Sequence, residues 1–251
     1  MTAPVISSLA HGLGAALAEA SSALPSLTPL APEAINAAPD ESFSALRHEL
    51  SPHYRALHPL GAPAGRSQLE AGVLGNFESG ADTLCLLSPR VFRDRLGALN
   101  LALTGGRGGW RDGTVRLGDD REGNRIFFPH VSAVPGQLER LRLLLVGQTG
   151  APPLFTAGVA YALFLNCHPF TDGNGRTARV LFNHLLHRDG MPRQVYLPLH
   201  EIARRSHGGY EIALRMAEVR GEWEPFLRFI LNGIQCHREV ACAAIQGSAR
   251  G

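Results

Sequence analysis

Leu138, Leu141 and Leu145 recur at helical spacing with Glu139, Arg140 and Arg142 between them, so the segment after Pro135 predicts an amphipathic helix. Residues 156–167 are apolar on nearly every side, the pattern of a helix sunk in a core. A second helix follows from about Gly175 to Asp189 and is closed by Gly190 and Pro192. Upstream, Ser88 in a cap position and Pro89 in the first turn open a helix that runs to about Leu103 and stops at Gly105-Gly106. Residues 201–205, 210–219 and 222–244 carry further helical patterns. The predicted fold is therefore mainly α, with no tandem repeat.

The period changes between Trp110 and Pro129. Trp110, Thr114, Val115, Ile126, Phe127 and Phe128 flank the polar, glycine-bearing stretch 118–124, which predicts a small β-hairpin. The N-terminal region is less regular. Residues 10–24 predict a small amphipathic helix, and Pro25, Pro29 and Pro32 then stop regular structure. Residues 42–57 predict another helix, broken near Pro52, and residues 59–65 form a Pro- and Gly-bearing break. The Ala-, Ser-, Leu- and Pro-rich start fits a linker, an export signal or a docking segment. The chain thus divides into an N-terminal extension (1–60), a further helix region (61–88), a main core (89–235) and a C-terminal helix end and tail (236–251).

Composition narrows the function classes. Hydrophobic content of 45% and charged content of 18% describe a globular chain rather than a disordered one. No window has the apolar length of a membrane helix, and the start lacks the basic and apolar blocks of a cleaved signal peptide. A net charge of +2 gives no bulk attraction for nucleic acid. The four cysteines, Cys85, Cys167, Cys236 and Cys242, form no C-x-x-C pair, so neither a disulfide framework nor a zinc site is expected, and a cytoplasmic setting is the default. All 24 cationic residues are arginine. A GC-rich genome accounts for that bias; the competing reading, avoidance of lysine modification inside a host cell, points to a secreted effector.

The chemistry concentrates in residues 168–179, His-Pro-Phe-Thr-Asp-Gly-Asn-Gly-Arg-Thr-Ala-Arg. His168 ends the buried helix, and near its ordinary pKa it can take a proton from an attacking hydroxyl. Asp172 supplies a hard oxygen of the kind Mg²⁺ takes alongside phosphate and water. Gly173 and Gly175 remove Cβ atoms that would hold a phosphate away, and Asn174 between them can adopt unusual dihedrals. The following helix offers unpaired N–H groups and a partial positive charge to an anion. Arg176 and Arg179, three apart, share a helix face and carry planar donor forks suited to phosphate. Phe170 would anchor the loop in the core.

This stretch resembles the Fic family, whose motif is His-x-Phe-x-Asp/Glu-Gly-Asn-Gly-Arg-x-x-Arg; His168, Phe170, Asp172, Gly173, Asn174, Gly175, Arg176 and Arg179 match every fixed position. Trp110, Arg111, Val115 and residues 127–129 look like the family's flap, and residues 210–233 like the helices after its motif. The resemblance implies a helical bundle with a flap and transfer of AMP from ATP, with Mg²⁺, to a Ser, Thr or Tyr hydroxyl of a target protein. It implies that His168 is the general base, Asp172 the metal ligand, Gly173–Gly175 the anion hole, Arg176 and Arg179 the phosphate grip, and Tyr210 a contact to the base. The target segment would lie along the flap, residues 110–129, by strand addition. Transfer of UMP or GMP stands as the alternative, as does a toxin-like subunit held inactive by a small antitoxin.

Many Fic proteins are restrained by a helix bearing Ser/Thr-x-x-x-Glu-Gly/Asn, whose glutamate pairs with the second motif arginine, here Arg179. The nearest match is Arg66-Ser67-Gln68-Leu69-Glu70-Ala71. Its serine lies one place too close to the acid and Ala71 replaces Gly or Asn. Glu70 stands as a possible regulatory residue on that match, but a plain amphipathic helix is the expectation, with Glu70→Gly leaving self-labelling nearly unchanged.

Overall fold

The computed structural model describes residues 3–4, 6–10, 12–59, 66–78, 88–147 and 150–248. The break at 59–65, most of the boundary segment before Ser88, and Cys85 fall largely or wholly outside the described residues. Among the described residues eleven α-helices run in order: α1 Leu13–Ser22, α2 Pro32–Ala37, α3 Ser51–Leu57, α4 Arg66–Glu78, α5 Pro89–Thr104, α6 Val134–Gly147, α7 Pro153–Cys167, α8 Asn174–Arg188, α9 Leu199–Arg205, α10 Gly209–Arg215 and α11 Glu224–Ser248. The mainly helical fold follows the sequence periodicity.

α7 is the axis. Its apolar surface on all sides is matched by α1, α6, α8 and α11 packed around it, and Phe155, Val159 and Phe164 are buried within the main core. The N-terminal segment joins that core rather than acting as a linker: Leu17, Leu24, Ile35 and Phe43 are fully buried in the same cluster, and the Leu154 N–H donates to Ser21 Oγ at 3.1 Å. The helix expected over 42–57 is instead a 3₁₀ segment, Asp40–Leu46, followed by α3. Pro52 does not break that helix but sits in its first turn, where a missing N–H costs nothing. Where α5 was predicted, Ser88 Oγ accepts from the Val91 N–H at 3.4 Å and Gly105 closes the helix at φ 61°.

The predicted hairpin does not form two strands among the described residues. One antiparallel bridge, Arg116 to Phe127, is flanked by the Leu117 N–H to Ile126 oxygen bond at 2.9 Å and the Phe128 N–H to Val115 oxygen bond at 3.1 Å. The tip is instead organised by Asp120, whose carboxylate accepts from the N–H groups of Glu122 and Asn124 at 2.9 and 2.8 Å. Two short arms with no third strand gain too little pairing to extend.

α4 packs on α8, α5 and α9. Leu74 of α4 forms a small separate core with Leu99 and Leu103 of α5 and Val180 of α8. Its last residue, Glu78, is nearly buried and sits 3.2 Å from His184 Nδ1, 2.8 Å from His187 Nδ1 and 3.1 Å from Arg193 Nη1. Burial pushes the carboxyl pKa up, but hydrogen bonds from His184 and His187 prevail and lower it from 4.5 to about 2. A depressed carboxylate pKa stabilises the fold above the unfolded value and loses that contribution as pH falls through the folded one. The stability gap between wild type and Glu78→Gln is therefore expected to be full near neutrality and to shrink as pH drops from 4.5 toward 2. Urea titrations of both proteins across that range check it; a gap that stays constant with pH would refute the ion cluster.

Candidate active site

α7 ends where His168 precedes Pro169, a position that disfavours continued helix. His168 adopts the left-handed region at φ 46°, and its N–H still bonds the Phe164 oxygen at 3.1 Å. That turn swings the imidazole toward the cleft at the start of α8. Its Nδ1 lies 3.3 Å from the Leu165 carbonyl oxygen. Phe128 stacks on the ring at 3.6 Å and 16°. With Nδ1–H donating to Leu165, the lone pair belongs to Nε2. Burial lowers the ring pKa to about 4, the Leu165 carbonyl opposing it and the Arg111 and Arg215 charges adding to it. The imidazole is thus neutral and able to accept a proton, well below the near-neutral value expected from sequence.

The loop after His168 is held from within and from both sides. Phe170 is fully buried, with Trp110 4.6 Å from its ring. The Thr171 N–H bonds the Gly109 oxygen at 2.9 Å and the Arg111 N–H bonds the Pro169 oxygen at 3.1 Å. Asn174 does not have unusual dihedrals; it is the first residue of α8, and its buried side chain staples the loop, accepting from the Phe170 N–H at 2.9 Å and donating to the Phe170 oxygen at 2.8 Å. Only its backbone remains for a ligand. Gly173 caps α8 at φ 79°, and a Cβ there would lie 2.6 Å from Thr104 Cγ2 and 2.8 Å from Asn100 Nδ2. Its lack of a side chain thus serves the approach to α5 as well as any ligand. A Cβ on Gly175 would meet Arg179 Nη1 at 3.3 Å.

Asp172 faces solvent. Its Oδ1 accepts from the Gly173 N–H at 2.6 Å and its Oδ2 from Arg176 Nη2 at 2.8 Å. Burial would raise its pKa, but the Gly173 N–H and the Arg176 charge prevail and lower it. Arg176 also donates to the Leu103 oxygen at 2.8 Å. These residues line a cleft of about 540 Å³ with His168, Thr171 and Arg179, roofed by Val115 and Arg116 and walled by Arg66 and Leu69 of α4.

Arg179 turns to α4. Its Nε bonds Glu70 Oε2 at 2.9 Å and Oε1 at 3.2 Å, and Nη2 also bonds Oε1. Tyr196 Oη donates to Glu70 Oε2 at 2.8 Å. Glu70 is fully buried and Arg179 nearly so. Burial would lower the arginine pKa, but the Glu70 carboxylate overrides it and holds the guanidinium charged. The expectation of a plain amphipathic helix is overturned: α4 lays a carboxylate on the second arginine of the loop. The serine offset is resolved by a different partner, since Ser67 Oγ donates to Glu201 Oε2.

Tyr210 does not line the cleft. Its hydroxyl bonds Tyr161 Oη at 2.8 Å, and its ring packs 5.5 Å from Phe229. Three supporting residues escaped the sequence reading of the loop. Asn100 Nδ2 donates to the Asp172 oxygen at 2.8 Å and to Thr177 Oγ1 at 3.2 Å; Thr104 Oγ1 accepts from the Gly108 N–H at 2.8 Å; buried Arg111 donates to the Gly113 oxygen at 3.1 Å and the Cys167 oxygen at 3.3 Å. The available signal was a polar residue, Asn100, inside the apolar stripe of Leu96, Leu99 and Leu103. Among the described residues no group of three or more His, Cys, Asp or Glu converges on a metal position. A cation bound mainly by phosphate and water needs only one exposed carboxylate, which Asp172 offers.

A profile described as the Fic/DOC family matches residues 84–186. The chain carries a Fic/DOC family domain. The match spans α5 to most of α8 and so contains the flap and the His168 loop. The Fic domain has relatives named as enzymes: a protein adenylyltransferase, fic-1, of Caenorhabditis briggsae is 40% identical over 78 residues, 31% of this chain and 14% of that protein. A protein adenylyltransferase, Fic, of Culex quinquefasciatus is 36% identical over 109 residues, 41% of this chain and 20% of that protein. The matched part is thus a small fraction of those relatives. A Fic family protein from Desulfovibrio desulfuricans shares the fold with a TM-score of 0.65 at 20% identity, covering 97% of this chain and 78% of its own. No helix among the described residues is long and apolar enough to cross a membrane.

Proposed function

We propose that this protein transfers AMP from ATP to a Ser, Thr or Tyr hydroxyl of a target protein, and that Glu70 holds it in a restrained state. The observation that carries the reading is the cleft itself, in which a neutral imidazole, an exposed carboxylate, the start of α8 and two guanidiniums meet. His168 Nε2 takes the proton of the hydroxyl as its oxygen attacks the α-phosphorus. The bond from that phosphorus to the β-phosphate oxygen breaks, and pyrophosphate leaves. The N–H groups of Asn174 and Gly175, at the positive end of α8, would face the phosphate oxygens, joined by that of Gly173 once Asp172 turns from it to the metal. Asp172 would hold Mg²⁺, which neutralises phosphate charge when bound. Arg176 and Arg179 would grip the β- and γ-phosphates, and the flap, residues 110–129, would receive the target segment.

Glu70 occupies the guanidinium this grip needs. An internal carboxylate on Arg179 also makes a separate antitoxin unnecessary for restraint. Incubation of the Glu70→Gly protein with each α-labelled nucleoside triphosphate and Mg²⁺, followed by mass spectrometry, is expected to show an AMP adduct on a hydroxyl side chain. A UMP or GMP adduct would redirect the donor assignment, and the absence of any adduct on self or lysate proteins would reject the reading.

A further inference from the structure

α4 does more in the cleft than present Glu70. Four guanidiniums line the cleft, those of Arg66, Arg116, Arg176 and Arg179, against one lining carboxylate, Asp172. Three of them are engaged. Arg116 pairs with Asp119, Arg176 with Asp172 and the Leu103 oxygen, and Arg179 with Glu70. Arg66 makes no ion pair or hydrogen bond among the described residues. It lies in the first turn of α4, exposed at the cleft wall, on the same helix and one turn before the carboxylate that blocks Arg179. The adjacent Ser67 is buried against Glu201, so the serine is committed away from the cleft while Arg66 is committed to it.

We propose that Arg66 is a donor-binding residue whose guanidinium takes the terminal phosphates of the nucleoside triphosphate once Glu70 has left Arg179. This rests on the nucleotide reading above. A free planar fork beside a surplus of positive charge suits a polyphosphate and has no use for a nucleoside monophosphate, whose single phosphate sits at the loop. α4 is then both obstacle and wall: loss of its carboxylate opens the site, whereas loss of the whole helix opens it and discards a phosphate ligand.

The test is calorimetric binding of a non-hydrolysable ATP analogue and of AMP to full-length Glu70→Gly, Glu70→Gly/Arg66→Ala and Glu70→Gly/Arg66→Lys. Removing a charge-assisted contact of this kind is expected to weaken the ATP analogue about tenfold, leave AMP unchanged, and be partly restored by lysine. Arg66 is exposed, so the thermal melting of the double variants should match their parent. Equal affinity of the ATP analogue for parent and Arg66→Ala would overturn the assignment while leaving the nucleotide reading intact. Equal weakening of ATP analogue and AMP would also overturn it, by placing Arg66 away from the terminal phosphates. No nucleotide binding by Glu70→Gly itself would instead reject the underlying reading and the assignment with it.

Discussion

Glu70→Gly is expected to raise self-labelling from α-labelled ATP by about 10- to 100-fold, the worth of one charge-assisted contact that competes with phosphate. Glu70 gives both carboxylate oxygens to Arg179 and accepts a further bond from Tyr196. On the proposed function, nucleotide would reach Arg179 only after those bonds break. The same substitution leaves Arg179 buried without its counter-charge, which costs about 3–5 kcal/mol of stability. The variant should therefore melt well below wild type without nucleotide and regain much of the difference when ATP is added. Glu70→Gln keeps the shape and the Tyr196 partner and drops only the charge, so it isolates the charge's share of both effects. Labelling of Glu70→Gly at the wild-type level, despite a folded protein that binds ATP, would show that this carboxylate imposes no restraint.

His168→Ala in the Glu70→Gly background should lower the transfer rate by about 10²–10⁴-fold, the usual contribution of a positioned base, with ATP affinity nearly preserved. The imidazole is also distinguishable by pH. Because burial holds its pKa near 4, the ring stays unprotonated through the neutral range. kcat/KM for labelling should be level from neutrality down through 6.5, the value of an ordinary histidine, and fall only as pH approaches about 4. A break at 6.5 would mean that Phe128 and its surroundings do not desolvate the ring as the structure has it. Undiminished label incorporation by His168→Ala would remove the general-base assignment altogether.

The loop was legible because its chemistry is local. Residues 168–179 hold a helix end, a proline and a helix start within twelve positions, and sequence spacing reports such things directly, though not the outside supports from Gly109, Arg111 and Asn100. The helices were legible for the same reason. Glu70 was visible as a possible regulatory residue, but its pairing with Arg179 was not the expectation, because the two lie 109 residues apart and proximity in space leaves no periodic trace. The offset serine added to the misreading, since Ser67 answers to Glu201 rather than to the cleft. Asn174 and Gly173 were visible as site residues, but their duties were hidden: one staples Phe170 and the other makes room for Asn100 and Thr104. Tyr210 was drawn toward the nucleotide by its place in the sequence, whereas the core claims it through Tyr161 and Phe229. The flap was overdrawn as two strands because alternation near a charged turn does not guarantee neighbours for both edges.

Phe128 rides on one arm of the flap and lies flat against His168, while Arg111 ties that arm's neighbourhood to the carbonyl of Cys167, immediately before the histidine. The flap arm and the imidazole are therefore mechanically joined. On the proposed function, a peptide that displaced this arm would disturb the imidazole stacked on it, so a poorly seated acceptor would forfeit chemistry as well as residence. In this protein, fidelity for the acceptor and speed of the reaction would rise and fall together, and mutations of the flap would change both even where they touch no substrate atom.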